Sequence, residues 1–174
     1  MNADLFAPTP LPIAPLGDAE RLACVRLIRS EQVGPATFRS LINHFGGAQR
    51  ALEAVPHLSR QGGAKRPIKI CSKDQAEREL EAADAIGSQP LFTIEPGYPA
   101  ALAALDQPPP MIYAKGRIEL LSGHTLAIVG SRQCSAAGQA MARQLASKLG
   151  AQGMVIVSGL ARGIDAAAHQ CSTG

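Results

Sequence analysis

The sequence predicts an α/β protein in which a small helical part precedes a parallel sheet. Two observations carry this. Up to residue 87, apolar residues recur at three- and four-residue spacing, punctuated by Gly and Pro. Later, two short apolar runs, Thr125-Leu-Ala-Ile-Val129 and Met154-Val-Ile-Val157, each stop at a glycine-bearing loop, and a helical pattern lies between them. Strand, helix, strand in one sheet makes a right-handed crossover with parallel strands. The expected divisions are a flexible leader at 1–17, a helical domain at 18–87 and a sheet domain at 88–174.

The elements follow in order. Pro8, Pro10, Pro12 and Pro15 make the leader a poor helix or strand, and it has no basic region of the kind a signal peptide carries. Asp18 is expected to cap a helix from Ala19 to about Arg29, with Cys24, Leu27 and Ile28 on its apolar face. Gly34-Pro35 breaks the pattern. A second helix, Ala36 to Phe45, carries Phe38, Leu41, Ile42 and Phe45 on one stripe and ends at Gly46-Gly47. A third, from Ala48, is expected to stop at Val55 before Pro56, leaving 56–67 as a basic, glycine-bearing loop. A fourth helix, about Lys73 to Ile86, has Ala76, Leu80 and Ala83 on one face and its acidic residues in solvent.

Leu91–Ile94 and Met111–Ala114 read as strands. Between them lie a turn at Pro96-Gly97-Tyr98-Pro99, a short helix over Ala100–Leu105 and an extended Pro108-Pro109-Pro110. The helix between the two later strands, about Ala136 to Gln152, places Met141, Leu145 and Leu149 four residues apart. Ala142 and Ala146 beside them permit close packing on a sheet.

Composition narrows the function classes. The chain of 174 residues is 46% hydrophobic, enough for a sizeable core. No stretch has the ~20 apolar residues that cross a bilayer. Cys24, Cys71, Cys134 and Cys171 form no C-x-x-C pair, which fits a reducing cytosol better than a disulfide framework or a zinc site. Residues 1–114 hold 11 basic and 12 acidic residues, whereas residues 115–174 hold 6 and 2. That excess favours an anionic partner for the later part.

The chemistry concentrates in two loops, Gly130-Ser131-Arg132 and Ser158-Gly159-Leu160-Ala161-Arg162-Gly163-Ile164-Asp165. Glycine lets a backbone approach a phosphate closely, Ser131 and Ser158 offer hydroxyls, and Arg132 and Arg162 offer planar cationic forks. Carboxyl ends of adjacent parallel strands are where open α/β sheets bind ligands. The alternative is that the glycines merely turn the chain and the arginines face water. The loops match neither a G-x-G-x-x-G fingerprint nor a P-loop, since no G-K-[ST] occurs. Asp165 and His169, four apart, are either an acid/base pair or a helix cap with its packed neighbour. His44, His57 and His124 have no partner at useful spacing. Lys65, Arg66 and Lys69 read as a solvated loop or a nucleic-acid contact. Helix, Val33-Gly34-Pro35, helix is similar to a helix-hairpin-helix, or is a structural turn in a small bundle. Four Phe, two Tyr and no Trp are few for a protein that reads bases by stacking, so nucleic acid would be held by its backbone.

At these residues the chain resembles the DprA/Smf family of DNA-processing proteins. The resemblance rests on Ala127-Ile-Val-Gly-Ser-Arg132, Gly138, Val157-Ser-Gly-Leu-Ala-Arg-Gly-Ile-Asp165 and Ala168-His169. Tyr98-Pro-Ala-Ala-Leu102 and Pro109-Pro-Met-Ile-Tyr-Ala-Lys-Gly116 extend it upstream. It implies a SAM-like or helix-hairpin-helix front domain and an extended Rossmann-like sheet, of which this chain, truncated at Gly174, holds the first part. It implies single-stranded DNA as ligand, action in natural transformation, RecA as a partner, a homodimer, no cofactor or metal, and no catalysis. Gly130, Ser131 and Arg132 would hold phosphates, with Ser158, Gly159 and Gly163 lining the same pocket and Arg162 adding charge. The competing readings are a nucleotide-processing hydrolase with Asp165 or His169 as acid or base, and a fragment without binding activity.

Overall fold

The computed structural model describes residues 15–61 and 68–170. The leader up to residue 14, the loop residues Lys65 and Arg66, and residues 171–174 lie outside the described residues. The chain divides into two compact units, one through Gly116 and one from Arg117.

The first unit is helical with one β-ribbon. Helices α1 (Asp18–Ile28), α2 (Pro35–Phe45), α3 (Ala48–Gln61) and α4 (Lys73–Ala85) precede β1 (Ser88–Phe92), α5 (Ala100–Ala103) and β2 (Met111–Lys115). Its core gathers Cys24, Val25, Leu27, Phe38, Ile42, Ala51, Leu52, Val55, Ala76 and Phe92. The apolar stripes supply these side chains at the predicted spacing. The starts of the first helices differ. Gly17, not Asp18, is the extended N-cap of α1, and Asp18 and Glu20 occupy its first turn, where carboxylates oppose the helix dipole. Pro35 is the first residue of α2, a position where its missing N–H costs nothing.

The expected stop before Pro56 does not occur. Helix α3 runs through Pro56 to Gln61. The proline forfeits one internal hydrogen bond, but Ala51, Leu52 and Val55 are buried just ahead of it and hold the helix on the core. The start of α3 is capped from a distance: Glu20 accepts hydrogen bonds from the amides of Ala48 and Gln49. The turn after α1 is also committed internally. Ser30 Oγ donates to Arg26 O at 2.7 Å and accepts from Cys71 N at 3.1 Å, and Glu31 N donates to Lys69 O. These ties anchor the end of α1 just ahead of the Val33-Gly34-Pro35 hairpin that leads into α2.

The ribbon pairs β1 and β2 antiparallel, with Leu91 opposite Ile112, and starts earlier than predicted because Pro90 is accommodated opposite Tyr113. Ile94, expected in the strand, lies past its end but is buried. Two ion pairs brace this unit, one from α1 to the turn after β1 and one from the end of α1 to α4. Arg21 holds Glu95 through Nε and Nη2 at 3.0 and 2.9 Å. Arg29 grips Glu79 at 2.9 and 2.8 Å, and the Tyr113 hydroxyl donates to the same carboxylate at 2.8 Å.

The second unit contains the crossover. A 3-10 turn at Ile118–Ser122 leads into β3 (Thr125–Ala127), then α6 (Ala136–Gly150), β4 (Val155–Val157) and α7 (Ile164–His169). Strands β3 and β4 are parallel, with Thr125 opposite Val155 and Ala127 opposite Val157. Ser135 caps α6 by accepting from Gly138 N at 3.1 Å. One sheet face packs on the helices through Ile156, Ala146 and Ala168, with Ile128, Leu149 and Met154 around them. The alanines of α6 do the packing, as Ala142 and Ala146 are buried, while Met141 and Leu145 stand 56% and 45% exposed. No helix among the described residues is long and apolar enough to cross a membrane.

Candidate nucleic-acid interface

Parallel pairing of β3 and β4 brings the two loops side by side, and main-chain contacts join them. Ile164 N donates to Ser131 O at 3.2 Å. Gly163 has φ +87°, a left-handed backbone, and a Cβ built on it would lie 2.2 Å from Ser131 O. Only glycine permits this approach. Gly130 makes the reciprocal fit, since a Cβ there would lie 2.7 Å from Ile164 Cγ1. These two glycines serve loop-to-loop packing.

The carboxylate of Asp165 ties the loops a second time. Its Oδ1 accepts from Gly130 N at 3.3 Å and its Oδ2 from Gly159 N at 3.2 Å. The side chain is buried. Burial alone would raise its pKa, but hydrogen bonds from Gly130, Ser158, Ala161 and Gly159 outweigh that and hold it below the usual carboxylate range. The buried Ser158 hydroxyl stands beside the carboxylate. Asp165 is therefore no helix cap: Gly163 is the N-cap of α7, and the carboxylate turns back to the strand ends.

The cationic side chains point elsewhere. Arg132 and Arg162 are exposed, and neither pairs with a carboxylate among the described residues. Ser131 is also exposed, and its hydroxyl closes a local turn, donating to Gln133 O at 2.9 Å and accepting from Gln133 N at 3.1 Å. The candidate site is thus layered. Gly130, Gly159, Gly163 and Asp165 weld the loops together, and Arg132 and Arg162 project from the weld. The helix-cap alternative hid the part played by Asp165. The usable signal was its place just after Arg162-Gly163, at the end of a strand that neighbours Gly130.

Two family models divide this chain between them. One, a DprA-like N-terminal HHH domain, matches residues 18–82, and the other, DNA recombination-mediator protein A, matches residues 89–173. The chain belongs to the DprA/Smf family. Among relatives in that family, the DNA processing protein DprA of Bacillus subtilis is 42% identical over 76 residues, which are 43% of this chain and 26% of the relative. Protein Smf of Synechocystis is 32% identical over 149 residues, 79% of this chain and 37% of the relative. The chain therefore spans between a quarter and two-fifths of the length of these DprA/Smf proteins. A solved structure of DNA processing protein A from Helicobacter pylori, concerned with that protein's single-stranded DNA binding mode, has 31% identity and a TM-score of 0.45. It covers 49% of this chain and 39% of that one.

Proposed function

We propose that this chain binds single-stranded DNA by its sugar-phosphate backbone, without sequence preference and without catalysis. The site is the paired loops bearing Gly130, Ser131, Arg132, Ser158, Gly159, Arg162 and Gly163. The observation that carries the reading is the main-chain weld between the loops, with Arg132 and Arg162 exposed beside it and free of carboxylate partners among the described residues. Each guanidinium offers a fork that matches phosphate oxygens, and two forks on one welded support suit a repeating phosphate chain. The glycines hold the support together and the arginines supply the charge. The scarcity of aromatic side chains agrees with backbone contact in place of base stacking.

Membership of a DNA-processing family extends the proposal to a role in DNA uptake during transformation, with transfer of the bound strand to RecA and a homodimeric working form. The chain would act in the cytoplasm, where Cys24, Cys71 and Cys134, free in the structure, stay reduced.

The test is titration of the full chain with a fluorescent oligothymidylate and with mixed-sequence oligonucleotides of equal length. Similar affinities are expected for both, with a steep decline as salt rises. Arg132→Ala should weaken all of them alike and flatten the salt dependence. Unchanged binding by Arg132→Ala at low and moderate salt would sink the assignment. Base release from nucleoside monophosphates would show a hydrolase instead.

A further inference from the structure

Asp165 is buried, carries its charge and touches both loops, yet the binding reading gives it no ligand to hold. We infer that Asp165 is a positioning residue whose carboxylate fills the space between the loop amides, so that Arg132 and Arg162 are presented together to one strand. This rests on the DNA-binding reading and deepens it.

The geometry is that of an internal anion. One oxygen takes the Gly130 amide from the first loop and the other takes the Gly159 amide from the second, at 3.3 and 3.2 Å. Gly130 and Asp165 are 35 residues apart, so the tie closes the whole crossover through α6. Backbone amides that converge on a small anion are a common way to hold phosphate. Here the protein's own carboxylate is the anion. Two consequences follow. A ligand phosphate cannot use the Gly130 and Gly159 amides while Asp165 holds them, so the arginine side chains must grip the strand. And without the carboxylate, two amides are left with no acceptor and only one of the two ties between the loops remains, so the guanidinium groups are free to diverge.

The test uses Asp165→Ala and Asp165→Asn in the full chain, with hydrogen exchange read by mass spectrometry and oligothymidylate binding read across a salt series. In Asp165→Ala the segments around Gly130 and Gly159 should exchange faster, while α6 and β4 keep their protection. Binding should weaken, and the slope of log affinity against log salt should fall by about 0.7 for each arginine that no longer reaches a phosphate. Arg132→Ala added to Asp165→Ala should cost less than about twofold more, because the two changes break one unit. Asp165→Asn keeps one acceptor and should lie between the two. Three results would overturn the inference: tighter binding by either variant, which would make Asp165 a competitor of the ligand; an Arg132→Ala effect that is undiminished without Asp165; or loss of protection throughout α6 and β4 in both variants, which would make Asp165 a determinant of folding. If wild-type protein binds no oligonucleotide, the binding reading fails, and the hydrogen-exchange arm still tests the tie.

Discussion

Replacing Gly163 by alanine probes the weld between the loops with the addition of one methyl group. The residue has φ +87° and ψ −125°, a combination that L side chains avoid. Holding alanine there costs on the order of 1–3 kcal/mol. The new Cβ would also lie 2.2 Å from Ser131 O and 2.9 Å from Arg132 C and O, all of them main-chain atoms. The first loop must then move away by most of an ångström, which breaks the hydrogen bond from Ile164 N to Ser131 O, worth about 1 kcal/mol. Together these predict that the second unit is destabilised by about 2–4 kcal/mol, a large part of the stability of a small domain. Gly150→Ala is the matched control. It makes the same chemical change in α6, with nothing within 4 Å of the new Cβ and an ordinary backbone, and should be neutral or stabilising by roughly 0.5–1 kcal/mol. Urea unfolding followed by circular dichroism gives both midpoints, and oligonucleotide titration under native conditions gives the functional effect. If Gly163→Ala unfolds at the wild-type midpoint and binds equally well, the loops are not joined as described.

Other consequences are open to simple measurement. Arg21→Ala leaves Glu95, 6% exposed, without its bidentate partner, and should destabilise the first unit by about 2 kcal/mol in urea unfolding; a change below about 0.5 kcal/mol would contradict this. Hydrogen bonds from Arg29 and then Tyr113 hold the Glu79 carboxyl below its ordinary range despite partial burial. The stability this contributes is complete above the ordinary carboxyl pKa of about 4.3 and is lost as pH falls through the lower folded-state value. Glu79→Gln should therefore lose less stability than wild type between pH 5 and the acid transition, and equal acid slopes would refute the role given to this pair. Burial pushes the Cys24 and Cys71 thiols up, so peptide mapping after brief alkylation should find Cys134, half-buried, modified ahead of both; early labelling of Cys24 would contradict the packing of α1.

Much of this fold was legible because local pattern and packing agree. The apolar runs at Thr125 and Met154 became the parallel strands, and the stripes of α1 and α2 became the core. The misreadings have physical causes. Proline at 56 signals a helix end, but the burial of Leu52 and Val55 outweighs one missing hydrogen bond. Large side chains signal an inward face, yet in α6 the small Ala142 and Ala146 are the buried ones. The loops announced themselves by glycine and arginine. Their division of labour could not be read from sequence, because a carboxylate two residues past Gly163 looks the same whether it caps its own helix or reaches Gly130 across the sheet. Only the pairing of β3 with β4 brings those atoms together.

If both loops form one surface for a DNA strand, a single ligand should shield them at once. Hydrogen exchange of the full chain, with and without saturating oligothymidylate, reads this out segment by segment. Added protection should appear at 130–134 and 158–163 together, at the same oligonucleotide concentration. Protection confined to one loop, or found only in the helices of the first unit, would mean that the loops do not act as one site.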